Sequence, residues 1–198
     1  MMAAMAAGPF VPALRVWPLL LLVPLAAYGL LVAIVPPLRA TFRPWAFGRA
    51  TPKATVLALV LALATCAVLL CFQSIARPDL TAQAAFLPVA ALGGIRIAGL
   101  VFSTLNALLE EVIFRGILHD AIESQWGPLG AVGGSALVFG YAHLHGYPPG
   151  PLGAVLAGVF GLGLGWLRLL SSGLGLGVLV HVVADAAIFA NLIRSGAL

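Results

Sequence analysis

Leu108-Leu109-Glu110-Glu111-Val112-Ile113-Phe114-Arg115-Gly116 sets two adjacent carboxylates and an arginine inside a strongly apolar chain. An ionisable group at mid-bilayer costs roughly 2.5–3.5 kcal/mol on insertion scales, so three together call for a reason. On a helix, residues four apart share a face, whereas neighbours diverge by about 100°. Glu111 and Arg115 therefore form an ion pair in the favourable acid-first order. Glu110 points elsewhere. Its same-face neighbours Phe114 and Ile117 are apolar, and it is expected to have no partner on its own helix. An unpaired carboxylate in such surroundings suits a general base or acid better than a structural charge.

The surrounding composition fixes the solvent of the fold. The 198 residues are 62% hydrophobic and 8% charged, with mean hydropathy +1.12. Such a chain is an all-α polytopic membrane protein, not a soluble domain. The formal charge of +4 is read through the positive-inside rule. There is no basic aromatic patch, so nucleic acid is not an expected partner; the bilayer is. Cys66 and Cys71 are five apart, on different faces of one apolar helix, and read as small buried hydrophobes.

Six spans and one shorter segment are expected. Trp17–Val35 is the first, closed by Pro36-Pro37. The stretch 38–53 carries Arg39, Arg43, Arg49 and Lys53, with Trp45 and Phe47 between them. This is the most basic loop and is expected in the cytoplasm, with Trp45 as interface anchor and the N-terminus outside. Span two covers 54–75, and Arg77-Pro78-Asp79 turns the chain. Residues 81–95, interrupted by Gly93-Gly94, form an interfacial or partly inserted segment. Span three begins near Ile97, where Arg96 snorkels. Its helix continues to about Gln125, with His119, Asp120 and Glu123 on a solvated end. Gly127-Pro128 turns into span four, which ends near Leu144. His145 is interfacial, beside the exit turn Gly146-Tyr147-Pro148-Pro149-Gly150. Spans five and six cover about 151–170 and 173–193. Gly161-Leu162-Gly163-Leu164-Gly165 recurs as Gly173-Leu174-Gly175-Leu176-Gly177. Neither follows a strand, so both indicate close helix packing rather than a phosphate loop. The membrane domain divides into 1–96, with the first spans and the basic loop, and 97–198, with the chemistry.

Depth arithmetic gathers the polar residues. Glu110 lies 15 residues before Gln125, and His143 lies 15 residues after Pro128. At about 1.5 Å per residue both stand roughly 22 Å from the same turn, so antiparallel spans bring them level. Phe139 lies one turn from His143 on the same face. Span six adds His181 and Asp185, four apart, with His181 roughly 15 Å from its entrance loop. Asn106, one turn before Glu110, is placed to orient it or simply to pack.

In order along the chain, Glu110-Glu111-x-x-x-Arg115, Phe139-x-x-x-His143 and His181-x-x-x-Asp185 resemble the CPBP family. Its members are CaaX-prenyl endopeptidases and bacteriocin-processing or immunity-related membrane proteins, also called the abortive-infection family. The resemblance covers about residues 97–193. It implies an intramembrane glutamic peptidase in the bacterial cytoplasmic (inner) membrane. Glu110 would be the base, His143 would hold the attacking water, Glu111 and Arg115 would be the structural pair, and His181 with Asp185 would stabilise the oxyanion. No cofactor is implied. The family's best-studied branch often ends the last motif in Asn. An ionised Asp185 cannot donate to an oxyanion, so it is either protonated or it orients and charges His181. The substrate class is a membrane protein or a peptide with a lipidated or sorting tail.

Two other classes stay open. Glu110, His143, His181 and Asp185 include the ligand types of a Zn²⁺ site, although the short His-x-x-x-His motif is missing. Buried ionisable groups also mark carriers, but no inverted repeat is visible; an immunity protein without enzymatic activity is the related possibility.

Overall fold

The computed structural model describes residues 17–36, 38, 46–85, 87, 89–90 and 93–198. Arg15, Arg39, Arg43 and Trp45 lie outside the described residues, as does part of the segment 81–95. The elements are helices α1 (Leu19–Ile34), α2 (Pro52–Ala76), α3 (Thr81–Ala84) and α4 (Ile95–Glu111), a π-helical segment (Val112–Leu118), and α5 (His119–Ala142), α6 (Gly150–Ser171) and α7 (Gly175–Arg194). The described residues contain no strand.

Among the described residues, four helical stretches are long and apolar enough to cross a membrane, and one of them runs 48 residues from Ile95 to Ala142. That stretch is two arms. Gly127 has φ 70°, ψ 179° and breaks the helix; glycine adopts this backbone without a Cβ penalty, and Pro128 opens the second arm with its preset φ. The arms fold back on each other, with the Phe114 and Phe139 rings 4.9 Å apart. The first helix is shorter than the expected span. Its 16 residues reach about 24 Å, against a hydrocarbon core of about 30 Å.

Span three is not a uniform α-helix. Val112–Leu118 is π-helical, an insertion that nothing in the apolar pattern announces and that often accompanies functional sites. α2 starts as its sequence dictates: Thr51 Oγ1 accepts from the Ala54 N–H at 3.2 Å, and Pro52 follows at the first helical position.

The glycine repeats serve close packing. A Cβ on Gly140 would stand 2.6 Å from the Ala154 carbonyl oxygen, one on Gly161 3.2 Å from Ala136 Cα, and one on Gly165 3.3 Å from Val132 Cα. α5 and α6 thus cross with backbones nearly touching, as small-residue stripes allow in lipid. The second repeat meets the strip 46–49, the later part of the basic stretch 38–53. Arg49 N–H donates to Ser171 O at 2.7 Å, and Leu174 and Gly175 N–H donate to Ala46 and Phe47 carbonyls at 2.9 Å each. At the opposite end, Tyr147 O–H donates to Gln73 Oε1 at 2.9 Å and accepts from Asn191 Nδ2 at 3.0 Å. This knot ties α2, the α5–α6 loop and α7 together. Burial pushes the Tyr147 hydroxyl above its ordinary range, so it stays a donor at neutral pH.

Candidate active site

The hairpin at Gly127 brings Glu110 and His143 level. Glu110 Oε2 lies 3.7 Å from His143 Nε2 and 3.6 Å from His181 Nε2. Both gaps exceed a hydrogen bond. Among the described residues, Oε2 accepts no hydrogen bond although it is buried. Glu110 and His143 side chains retain 12% and 21% of their exposure, against 4% for His181. The site therefore opens on the His143 side.

Each imidazole is fixed from behind. His143 Nδ1 lies 2.8 Å from the Phe139 carbonyl. A carbonyl only accepts, so Nδ1 carries the proton, and in the neutral ring the Nε2 lone pair faces Glu110. His181 Nδ1 lies 2.9 Å from Glu111 Oε1 and donates to it, leaving Nε2 toward Glu110. Phe139 and Phe160 wall the His181 ring, with ring centres 5.8 Å and 5.4 Å away.

Glu111 and Arg115 pair as their spacing requires, at 3.1 Å and almost fully buried. Arg115 also donates to the Gly161 carbonyl at 3.2 Å, and its guanidinium lies 4.4 Å from the Phe139 ring centre, a cation–π distance. Glu111 thus has a second partner, His181, that its own helix could not reveal.

Two expectations are corrected. Glu110 has a partner on its own helix: Asn106 Nδ2 donates to Glu110 Oε1 at 3.3 Å. The same amide donates to Asp185 Oδ2 at 3.1 Å, because α7 packs along α4 and brings the carboxylate over. His119 does not lie on a solvated face either. It is buried at 1% exposure, and Asp120 pairs with Arg168 at 3.4 Å. Arg168 on α6 reaches across to donate to the Arg115 carbonyl at 3.3 Å, in the π-helical segment. Glu123 is half-buried, and Ser124, Gln125 and Trp126 beyond it are exposed. His145 and Arg96 are exposed.

Asp185 Oδ1 stands 3.9 Å from His181 Nε2, an electrostatic neighbour beyond hydrogen-bond length. Among the described residues, no group of three or more His, Cys, Asp or Glu side chains is arranged to hold a metal ion. A cavity of about 170 Å³ runs from the site between α2 and α6. Its inner end is formed by His143, His181 and Asp185, and its walls by residues such as Thr65, Val68, Val159 and Phe160. Val68 and Val159 are exposed on the outer faces of their helices, so the cavity meets the apolar surface.

A family model described as type II CAAX prenyl endopeptidase, Rce1-like, matches residues 92–187. No curated protein and no solved structure matches the chain.

Proposed function

Residues 92–187 belong to the Rce1-like type II CAAX prenyl endopeptidases, a family of membrane proteases, and from that premise we propose that this chain is an intramembrane endopeptidase driven by a water that Glu110 activates. One observation carries the reading: the buried Glu110 Oε2 accepts no hydrogen bond among the described residues, yet faces two imidazole Nε2 atoms at 3.6 and 3.7 Å.

A water capping that triangle gives one proton to Glu110 Oε2 while His143 Nε2, an acceptor, holds the other. The hydroxide adds to the scissile carbonyl carbon. The carbonyl oxygen takes the negative charge beside His181. Since His181 Nδ1–H is committed to Glu111, donation from Nε2 requires the imidazolium. The Glu111 carboxylate, bonded to Nδ1, and the neighbouring Asp185 compensate that charge. The proton on Glu110 then passes to the leaving nitrogen as the C–N bond breaks. Asp185 Oδ2 accepts from Asn106, whereas His181 Nδ1 donates to Glu111 Oε1, so in this reading Glu111 rather than Asp185 orients His181.

The substrate is a membrane-associated protein or peptide cut near its terminus. The apolar cavity beside the two histidines suits a lipid-modified or helical sorting tail. The basic stretch 38–53 faces the cytoplasm, in a bacterial inner membrane.

The test is Glu110→Gln in proteoliposomes, against a quenched-fluorescence farnesylated peptide ending in Cys-aliphatic-aliphatic-X and against an unprenylated helical tail. The amide keeps the shape and removes the base, so the rate on whichever peptide is cut should fall about 10²–10⁴-fold. Cleavage at the wild-type rate overturns the reading.

A further inference from the structure

We propose that Trp17, at the head of α1, is a positioning residue for Glu110 and acts through Asn106. The inference rests on the proposed reaction, and Trp17 itself lies in a part of the chain that carries none of the three motifs.

Trp17 and Asn106 are both buried, at 8% exposure each. The indole N–H donates to Asn106 Oδ1 at 3.0 Å. Across the same amide, Nδ2 divides its two hydrogens between Glu110 Oε1 at 3.3 Å and Asp185 Oδ2 at 3.1 Å. An asparagine amide has one accepting and one donating end, and an indole can only donate. Trp17 therefore decides which end of Asn106 faces the carboxylates. With the amide reversed, its oxygen would meet two carboxylate oxygens and its NH₂ would meet the indole N–H. Both contacts would be unfavourable in a dry site. The donor that Trp17 holds in place fixes Glu110 Oε1, and Oε2 is thereby aimed at His143 and His181.

The indole is itself immobilised. Its ring lies edge-on to Phe102 with centres 5.4 Å apart, and Phe102 lies 6.2 Å from Phe189 on α7. Trp17, Phe102 and Phe189 form a wall behind Asn106 that joins α1, α4 and α7. Trp17 touches no reacting atom. Its effect should therefore appear in the chemical step and not in substrate binding.

The experiment compares Trp17→Phe, Asn106→Leu and the double variant, in nanodiscs, with the farnesylated peptide as probe. Phenylalanine keeps an aromatic ring on Phe102 and removes only the N–H. The expected result is a kcat about tenfold lower for Trp17→Phe with KM within about twofold, and a double variant no slower than Asn106→Leu alone, because residues acting as one unit are not additive. A wild-type kcat for Trp17→Phe, or losses that multiply, overturns the proposal. A second readout needs no substrate. In the ¹⁵N-labelled protein, one of four indole signals, identified by its absence in Trp17→Phe, should move upfield in Asn106→Leu as its hydrogen bond is lost. A signal that stays in place overturns the proposal. This readout also holds if the wild type cuts neither the farnesylated peptide nor the unprenylated helical tail, in which case the proposed function fails and the Trp17–Asn106 link is judged alone. Asn106→Leu retains Trp17, so the spectral test does not depend on the folding of the aromatic variant.

Discussion

His181 Nδ1 and Arg115 Nη1 converge on one atom, Glu111 Oε1, at 2.9 and 3.1 Å. A single buried oxygen thus holds the helix pair and orients an imidazole 70 residues away. Glu111 has two separable tasks, and removing it should show both. Glu111→Gln is expected to lower kcat about 10²–10³-fold, the range seen when one oxyanion donor is lost. If Glu111 works through His181, Glu111→Gln combined with His181→Ala should be no slower than His181→Ala alone. Full multiplication of the two losses, measured by steady-state cleavage, would show that the residues act independently.

The ion pair itself is expected to behave as a buried charge. Arg115→Leu leaves Glu111 buried without its strongest partner and should cost about 3–5 kcal/mol of stability. The double change Glu111→Leu/Arg115→Leu should recover most of that loss, because a buried pair can often be replaced by apolar groups. It should still be inactive, since His181 then has nothing to hold its Nδ1. Thermal unfolding in detergent alongside cleavage separates the two effects.

Between α2 and α6 the cavity should be the seat of the substrate's apolar part. Thr65→Trp narrows it from the α2 wall. kcat/KM should fall about tenfold or more for a lipidated or helical peptide while the melting temperature changes little. An unchanged kcat/KM would place the substrate elsewhere.

The proposed reaction runs on a water that Glu110 activates and uses no metal. Dialysis against a strong chelator should therefore leave cleavage within about twofold of the untreated rate, whereas a zinc enzyme would lose its activity. Metal analysis of the purified protein supplies the independent check.

Much of the site was legible because hairpin geometry is arithmetic. Glu110 and His143 meet because each lies 15 residues from the turn, and no knowledge of packing was required. The Glu111–Arg115 pair follows from spacing alone. Contacts that depend on which face of a helix is covered were not legible. In a water-soluble helix the apolar stripe marks that face; here every face is apolar, and the most hydropathic window of α2 is only 11% buried. Trp17 reaching Asn106 across 89 residues therefore has no signature beyond one aromatic at the start of a run. His119 departs from its expected place for a related reason. Polar residues at a helix end resemble a solvated tip, and nothing in the sequence separates the buried His119 from the exposed Ser124 and Gln125 beyond it. The Gly-rich repeats indicated close approach but not its partners: α5 for the first, the extended strip 46–49 for the second.

A π turn is an α-helix carrying one surplus residue, so Val112–Leu118 is a place where chain length and rotation are uncoupled. Deleting one residue there would restore an ordinary helix and shorten no loop. The wider turn absorbs the surplus, so the arm beyond it would keep nearly the same rotation about the axis. A further inserted residue that the helix did not absorb would instead turn His119 and the returning arm by about 100°, away from α6, while Glu110 and Glu111 stayed put. The π turn thus keeps the half of the helix that bears the acid pair in phase with the half that builds the hairpin. An insertion–deletion scan across 112–118 should tolerate removal of one residue better than addition of one.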